Sequence, residues 1–163
     1  MHRVIVNSTP LIALCNADLL FVLKKLYGEI IIPQAVFEEV TAKTDSACSQ
    51  IHSNLDWIHV ESADENADRS MYKAKLHAGE VEVMILAQDS PKADLVLIDD
   101  NAAKKTAKFL GLKVSGTLGV LLKAKRCNII DSFTDAIDKI EGKGFYIDDK
   151  LREFAIEQAN EKR

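Results

Sequence analysis

Short apolar runs alternate with amphipathic stretches along nearly the whole chain. Val4-Ile5-Val6, Glu29 to Ile32, Trp57 to Val60, Leu95 to Ile98 and Lys113 to Ser115 read as strands. Leu95 to Ile98 has no polar alternation and is rich in branched residues, which predicts a strand buried on both faces. Helices fall between the strands. Thr9 is a suitable N-cap and Pro10 a suitable first residue for a helix over Leu11 to Asn16. Asp18 caps a second helix, in which Leu19, Leu20, Leu23 and Leu26 recur at helical spacing and Gly28 is the stop. Pro33 opens a third, from Gln34 to about Lys43, and Asp45 to Asn54 is a further helical stretch. Ser62 to Ser70 is polar and acidic and reads as a loop or an exposed helical turn. Met71 to Leu76 leads into a helix that opens at Gly79. Three more follow: Asn101 to Leu110, closed by Gly111; a helix capped by Gly116-Thr117 and running through Lys125; and Asp131 to Ile140, broken by Gly142-Lys143-Gly144. Asp148 or Asp149 caps a last helix to about Asn160, with Leu151, Phe154, Ala155 and Ala159 as its docking stripe. Strands alternating with helices predict an α/β domain, a mainly parallel sheet with helices on both faces.

The polar residues that interrupt this pattern collect at strand ends. Asp99 and Asp100 end the Leu95 strand abruptly, and Asn7 ends the first. In open parallel sheets the C-terminal edge is where ligands bind. Asp99 belongs at that edge, and one cap suffices for the following helix. Glu80 and Glu82 fall in the first turn of the Gly79 helix, where the helix dipole alone accounts for both as well as a functional role does. In the Pro33 helix, at about 100° per residue, Val36, Phe37 and Val40 define the buried face. Glu38 points away from that face; Glu39 lies at its border, where a side chain can turn inward. Converging carboxylates repel one another and raise their pKa values unless a cation is present. Oxygen ligands without Cys or His suit magnesium or manganese. Lys104, Lys105 and Lys108 share one arc of the Asn101 helix, which reads either as a solvated face or as a track for a phosphate backbone.

Composition narrows the classes. The chain has 163 residues, enough for one domain with a sizeable core. A formal net charge of -4 argues against a protein that coats nucleic acid by bulk charge. The three cysteines are scattered, so neither a disulfide framework nor a zinc site is expected, and a cytoplasmic setting fits. No apolar run is long enough to span a bilayer, so no membrane association is expected. Gly116-Thr117-Leu118-Gly119 lacks the Gly-Lys-Ser/Thr ending of a phosphate loop.

Four segments taken together resemble the PIN domain, and most closely its small prokaryotic branch of unknown function. They are Val4-Ile5-Val6-Asn7-Ser8-Thr9-Pro10-Leu11-Ile12, the stretch from Ile31 to Val40, the stretch from Gly79 to Ala87, and Leu97-Ile98-Asp99-Asp100-Asn101-Ala102-Ala103-Lys104 continued by Gly111 to Leu122. The resemblance implies a PIN-like three-layer fold with a central parallel sheet of order 3-2-1-4-5 and helices on both faces. It implies one domain over 1–163, with about 127–163 as a C-terminal helical extension packed on it. It also implies a magnesium- or manganese-dependent ribonuclease, as in the toxins of toxin–antitoxin pairs. The metal ligands then fall on Glu39, Glu80 and Asp99, the hydroxyl after the first acid on Thr9, and supporting roles on Glu82 and Asp100. The first acid itself falls on Asn7, where the sequence departs from the family: an amide offers an oxygen but no charge, and cannot act as a base.

The expected function is therefore metal-dependent hydrolysis of RNA phosphodiesters by Glu39, Glu80, Asp99 and Asn7, with RNA bound along Lys104, Lys105 and Lys108. Expected partners are RNA, an antitoxin-type protein and further copies of the chain in a homo-oligomer. The rival expectation is a weakened or inactive PIN-like module that binds RNA or a partner protein. A receiver-type phosphotransfer domain fits less well, because no lysine follows a late strand in a position to pair with the acids.

Overall fold

A computed structural model describes residues 3–70, 72, 76–89 and 91–161. Most of the Met71–Leu76 lead into the Gly79 helix lies outside the described residues. Five strands, β1 (Val4–Val6), β2 (Ile30–Pro33), β3 (Ile58–Glu61), β4 (Leu95–Leu97) and β5 (Val114–Ser115), form one parallel sheet in the order 3-2-1-4-5. This is the topology that the resemblance implies. β1 lies at the centre, with Ile5 opposite Ile31 on one side and Val96 on the other.

Parallel strands need crossovers, and helices supply them. They are α1 (Ser8–Asn16), α2 (Phe21–Tyr27), α3 (Gln34–Val40), α4 (Ser46–His52), α5 (Ala78–Gln88), α6 (Asn101–Phe109), α7 (Thr117–Arg126), α8 (Phe133–Gly142) and α9 (Asp149–Gln158). The central strands are apolar throughout because both faces are covered: Val4, Ile5, Val6, Ile30, Ile32, Val96 and Leu97 are all essentially inaccessible to solvent. Truncating one of them, Ile5→Ala for instance, costs about 2–5 kcal/mol through lost transfer energy and the cavity left behind. α8 packs on α7 and α1, and α9 packs on α7.

Several local expectations need correction. α1 begins at Ser8 with Asn7 as its N-cap, so Thr9 is not the cap and Pro10 is not the first helical residue. Pro10 is still tolerated, because N–H groups of the first turn have no intrahelical acceptor. Asp18 does not cap α2. It sits in the left-handed region at φ 58°, turning the chain out of α1, and α2 starts only at Phe21. The acidic stretch after β3, by contrast, is a loop of turns, one of the two forms expected of it; Asp64 and Asp68 each accept a hydrogen bond from the N–H two residues on. α8 starts at Phe133 rather than Asp131, with Ser132 as its N-cap. The stripe predicted on α9 is half right. Ala155 and Ala159 are buried, together with Ile156, but Leu151 and Phe154 face solvent.

Candidate active site

The C-terminal ends of β1, β2 and β4 deliver Asn7, the start of α3 and Asp99 to one edge of the sheet. Asn7 is 95% buried although polar. Its backbone N–H donates to the carbonyl of Leu97 at 2.9 Å, which locks the end of β1 to β4, and its side chain makes no cap hydrogen bond. Glu39 is exposed on α3 yet turns back toward this edge, as its border position predicts. The two meet beside Gly79 in the first turn of α5. A Cβ on Gly79 would stand 3.6 Å from Asn7 Oδ1, 3.6 Å from Glu39 Oε1 and 3.3 Å from Val36 Cγ2. Glycine at this position therefore leaves a gap into which two oxygens point.

Glu80, the next residue, is 95% buried. Its Oε1 accepts from the backbone N–H of His77, the α5 N-cap, at 2.9 Å. Burial pushes its pKa above the usual carboxylate value. The His77 N–H opposes the rise, while the charges of Asp100 and Glu39 add to it. The acids thus feel one another across the edge. Glu82 plays a different part from the one expected. It lies beyond the first turn of α5, and its Oε1 accepts from the backbone N–H of Ala35 at 3.1 Å. α3 has Pro33 as its N-cap, with no side-chain oxygen to offer, so Glu82 caps α3 from a neighbouring helix.

Asp99 is half-buried and held by Thr117. Thr117 donates from its backbone N–H to Oδ1 at 2.8 Å and from Oγ1 to Oδ2 at 2.6 Å. Asp99 therefore caps α7 across the sheet edge, where the α7 N-cap, Gly116, has no side chain. Space explains that glycine. A Cβ there would stand 2.6 Å from Asp99 Oδ1 and 3.1 Å from Lys104 Nζ. Asp100 is exposed and caps α6 by accepting from the Ala103 N–H at 2.9 Å.

Of the three lysines on α6, Lys104 alone reaches this edge. It lines a cavity of about 660 Å³ together with Asp99, Asp100 and Thr9. Lys105 and Lys108 are exposed and do not line it. Thr117 is a site residue that the sequence reading treated only as a cap. Its signal was the Gly116-Thr117 pair, read there for turn geometry rather than for what the threonine holds.

Among the described residues, no three His, Cys, Asp or Glu side chains stand close enough together to form a metal cage by themselves. Asn7 lies outside that set of residue types, and Asp99 is turned to Thr117. The donors are nonetheless oxygens only, as a hard divalent cation requires. The gap beside Gly79 and the mutual charge of Glu39, Glu80 and Asp100 both fit such an ion.

A search of curated proteins finds no match. A family model described as the PIN domain matches residues 3–161. With that match over almost the whole chain, and with the 3-2-1-4-5 parallel sheet beneath it, the protein belongs to the PIN-domain family, a nuclease-type family.

Proposed function

We propose that this protein is a divalent-metal-dependent nuclease that hydrolyses RNA phosphodiesters. The observation that carries this reading is the approach of Asn7 Oδ1 and Glu39 Oε1 to one point beside Gly79, each 3.6 Å from it. Glu80 follows Gly79 directly in sequence and feels the charge of Glu39. PIN domains generally use divalent metal ions. Here Glu39, Glu80 and Asp99 would hold magnesium or manganese, with the Asn7 amide oxygen as a neutral fourth donor. When bound, such an ion supplies a polarised water and offsets the charge of the phosphodiester.

The chain's own residues have separable parts in this scheme. Glu82 fixes the start of α3, and with it the position of Glu39. Thr117 fixes both oxygens of Asp99. The Lys104 ammonium, beside Asp99 at the cavity wall, offers a non-bridging phosphate oxygen a positive partner. Asn7 orients a ligand but takes no proton, so the site runs with one negative charge fewer than four acids would provide.

That missing charge favours a second reading, a PIN-like module that binds RNA or a partner protein without cutting. Manganese calorimetry and cleavage of a mixed RNA by the wild type and Asn7→Asp separate the two. The nuclease reading expects manganese to bind the wild type and raise its melting temperature, since a ligand of the folded state stabilises it. It also expects tighter binding and faster cutting by Asn7→Asp. Absence of binding at millimolar manganese, with no cutting by either form, would discard it in favour of the binding module.

A further inference from the structure

The cavity beside the acids has a second wall that the chemistry above does not use. It comes from the elbow between α8 and α9: Gly144, Phe145, Tyr146, Asp148 and Leu151. The elbow is firmly placed. Gly144 takes φ 98°, a left-handed conformation natural to glycine, and the Phe145 N–H donates to the carbonyl of Ile140 at 3.1 Å. Arg152 on α9 ties back to α8 through Glu141, at 2.9 Å, and through Asp138. Phe145 packs against the core and Ile147 is buried. Tyr146, between these two anchors, is held outward and is 83% exposed. Asp148 is the N-cap of α9, but its side chain makes no cap hydrogen bond, so its carboxylate is left facing solvent.

An aromatic ring presented on a rigid elbow and an uncommitted carboxylate two residues on thus share one cavity with Lys104 and Asp99. Aromatic faces stack on bases, and an aspartate accepts from the exocyclic amino group of cytosine. We infer that this cavity is a nucleobase subsite for single-stranded RNA. Tyr146 is its stacking face, Asp148 its acceptor for a base amino group, and Lys104 its contact to the adjoining phosphate. The subsite prefers cytosine to uracil, because uracil presents a carbonyl to Asp148 where cytosine presents a donor. This inference rests on the proposed RNA substrate and gives it a base preference.

The test is fluorescence polarisation with labelled hexacytidylate, hexauridylate and an abasic hexamer, in chelator and low salt so that nothing is cut. The wild type should bind hexacytidylate more tightly than hexauridylate. Tyr146→Ala should bind hexacytidylate about fivefold to tenfold more weakly, as expected for one lost base–aromatic stack. Tyr146→Phe should bind as the wild type does, and the abasic hexamer should not distinguish Tyr146→Ala from wild type. Asp148→Asn should narrow the preference for cytosine. Because Tyr146 is so exposed, its variants should keep the wild-type melting temperature. Undetectable binding of hexacytidylate by the wild type, or affinity unchanged in Tyr146→Ala, would overturn the subsite. So would equal binding of the two homopolymers. If these results hold and manganese still promotes no cleavage, the nuclease reading fails and the base subsite stands. Cleavage without a Tyr146 effect is the reverse case.

Discussion

The carboxylate of Glu82 on α5 accepts a hydrogen bond from the backbone N–H of Ala35 in the first turn of α3, at 3.1 Å. A residue in one helix thereby sets the start of the helix that carries Glu39. Glu82→Ala should cost about 1–2 kcal/mol, as for the loss of a helix cap. Glu82→Gln, which keeps an acceptor oxygen, should lose much less. Melting curves of both variants check the cost, and manganese calorimetry checks whether Glu39 has moved. Equal stability of Glu82→Ala and wild type would mean that the contact holds nothing in place.

Gly79→Ala fills the gap beside Asn7 and Glu39. The added methyl meets Val36 Cγ2 at 3.3 Å, a tight contact, while alanine favours helix over glycine by about 1 kcal/mol. Overall stability should therefore shift little. Manganese affinity should fall by about tenfold, because the methyl, in ordinary contact with both oxygens, occupies the space beside them that an ion would fill. Unchanged affinity would locate any bound ion elsewhere.

Asp99 and Thr117 should behave as a unit. Thr117→Val removes the hydroxyl donor at 2.6 Å without changing shape and should cost about 1–3 kcal/mol. In combination with Asp99→Ala the losses should fall well short of additive, since each substitution already breaks the hydroxyl–carboxylate contact. A double-mutant cycle by denaturant unfolding measures this. Strict additivity would show that the pair is not coupled.

Glu80 links stability to the proposed metal site. Its folded-state pKa is raised, by burial first and by its acidic neighbours in addition. The stability it contributes is full below its unfolded pKa and is lost as pH rises through the folded value. At neutral pH in chelator, Glu80→Gln should therefore melt at a higher temperature than wild type, the Gln oxygen still serving the His77 N–H. Excess manganese should raise the wild type and leave the variant nearly unmoved. A variant that melts below wild type in chelator would contradict the repulsion.

Glu161 gives the opposite pH signature far from the site. Burial works to raise its pKa. Hydrogen bonds from the Thr134 hydroxyl, the backbone N–H groups of Thr134 and Phe133, and Lys125 outweigh that and lower it from 4.5 to about 2. Its contribution is present above the unfolded value and lost as pH falls from about 4.5 toward 2. Glu161→Gln should flatten the acid limb of a plot of melting temperature against pH. An acid limb as steep as that of the wild type would rule out this clasp between the chain's end and α8.

Much of this architecture is legible in the sequence because it depends on burial. The unbroken apolar runs at Val4 and Leu95 can be satisfied only inside a covered parallel sheet, and their order leaves few topologies. The edge position of Asp99 follows from the same reasoning, and the turn of Glu39 from helical spacing. What escaped depends on partners distant in sequence. Nothing local to Glu82 announces that its acceptor role is at Ala35, nor does Thr117 announce that it braces Asp99. The start of α1 also slipped, because Asn7, Ser8 and Thr9 are all capping types: Asn7, whose backbone N–H is fixed by the carbonyl of Leu97, took the role given to Thr9. On α9 the sequence could not tell a residue docked on the core from one lining a cavity, as Leu151 does, or one standing in solvent, as Phe154 does.

The pairing of β1 with β4, Val4 against Leu95, has a consequence for biosynthesis. A growing polypeptide makes β1 before its neighbours and can lay β2 beside it early, but the other edge of β1 waits for β4. Asp99 follows β4, and its brace at Thr117 comes later still. At about 5–20 residues per second, that leaves several seconds in which the ribosome carries a half-sheet with Asn7 and Glu39 but no Asp99. A product stalled in that interval lacks Asp99, one of the acids of the proposed site. The sheet edge with Asn7, Glu39, Glu80 and Asp99 is complete only after the nascent chain has passed Thr117.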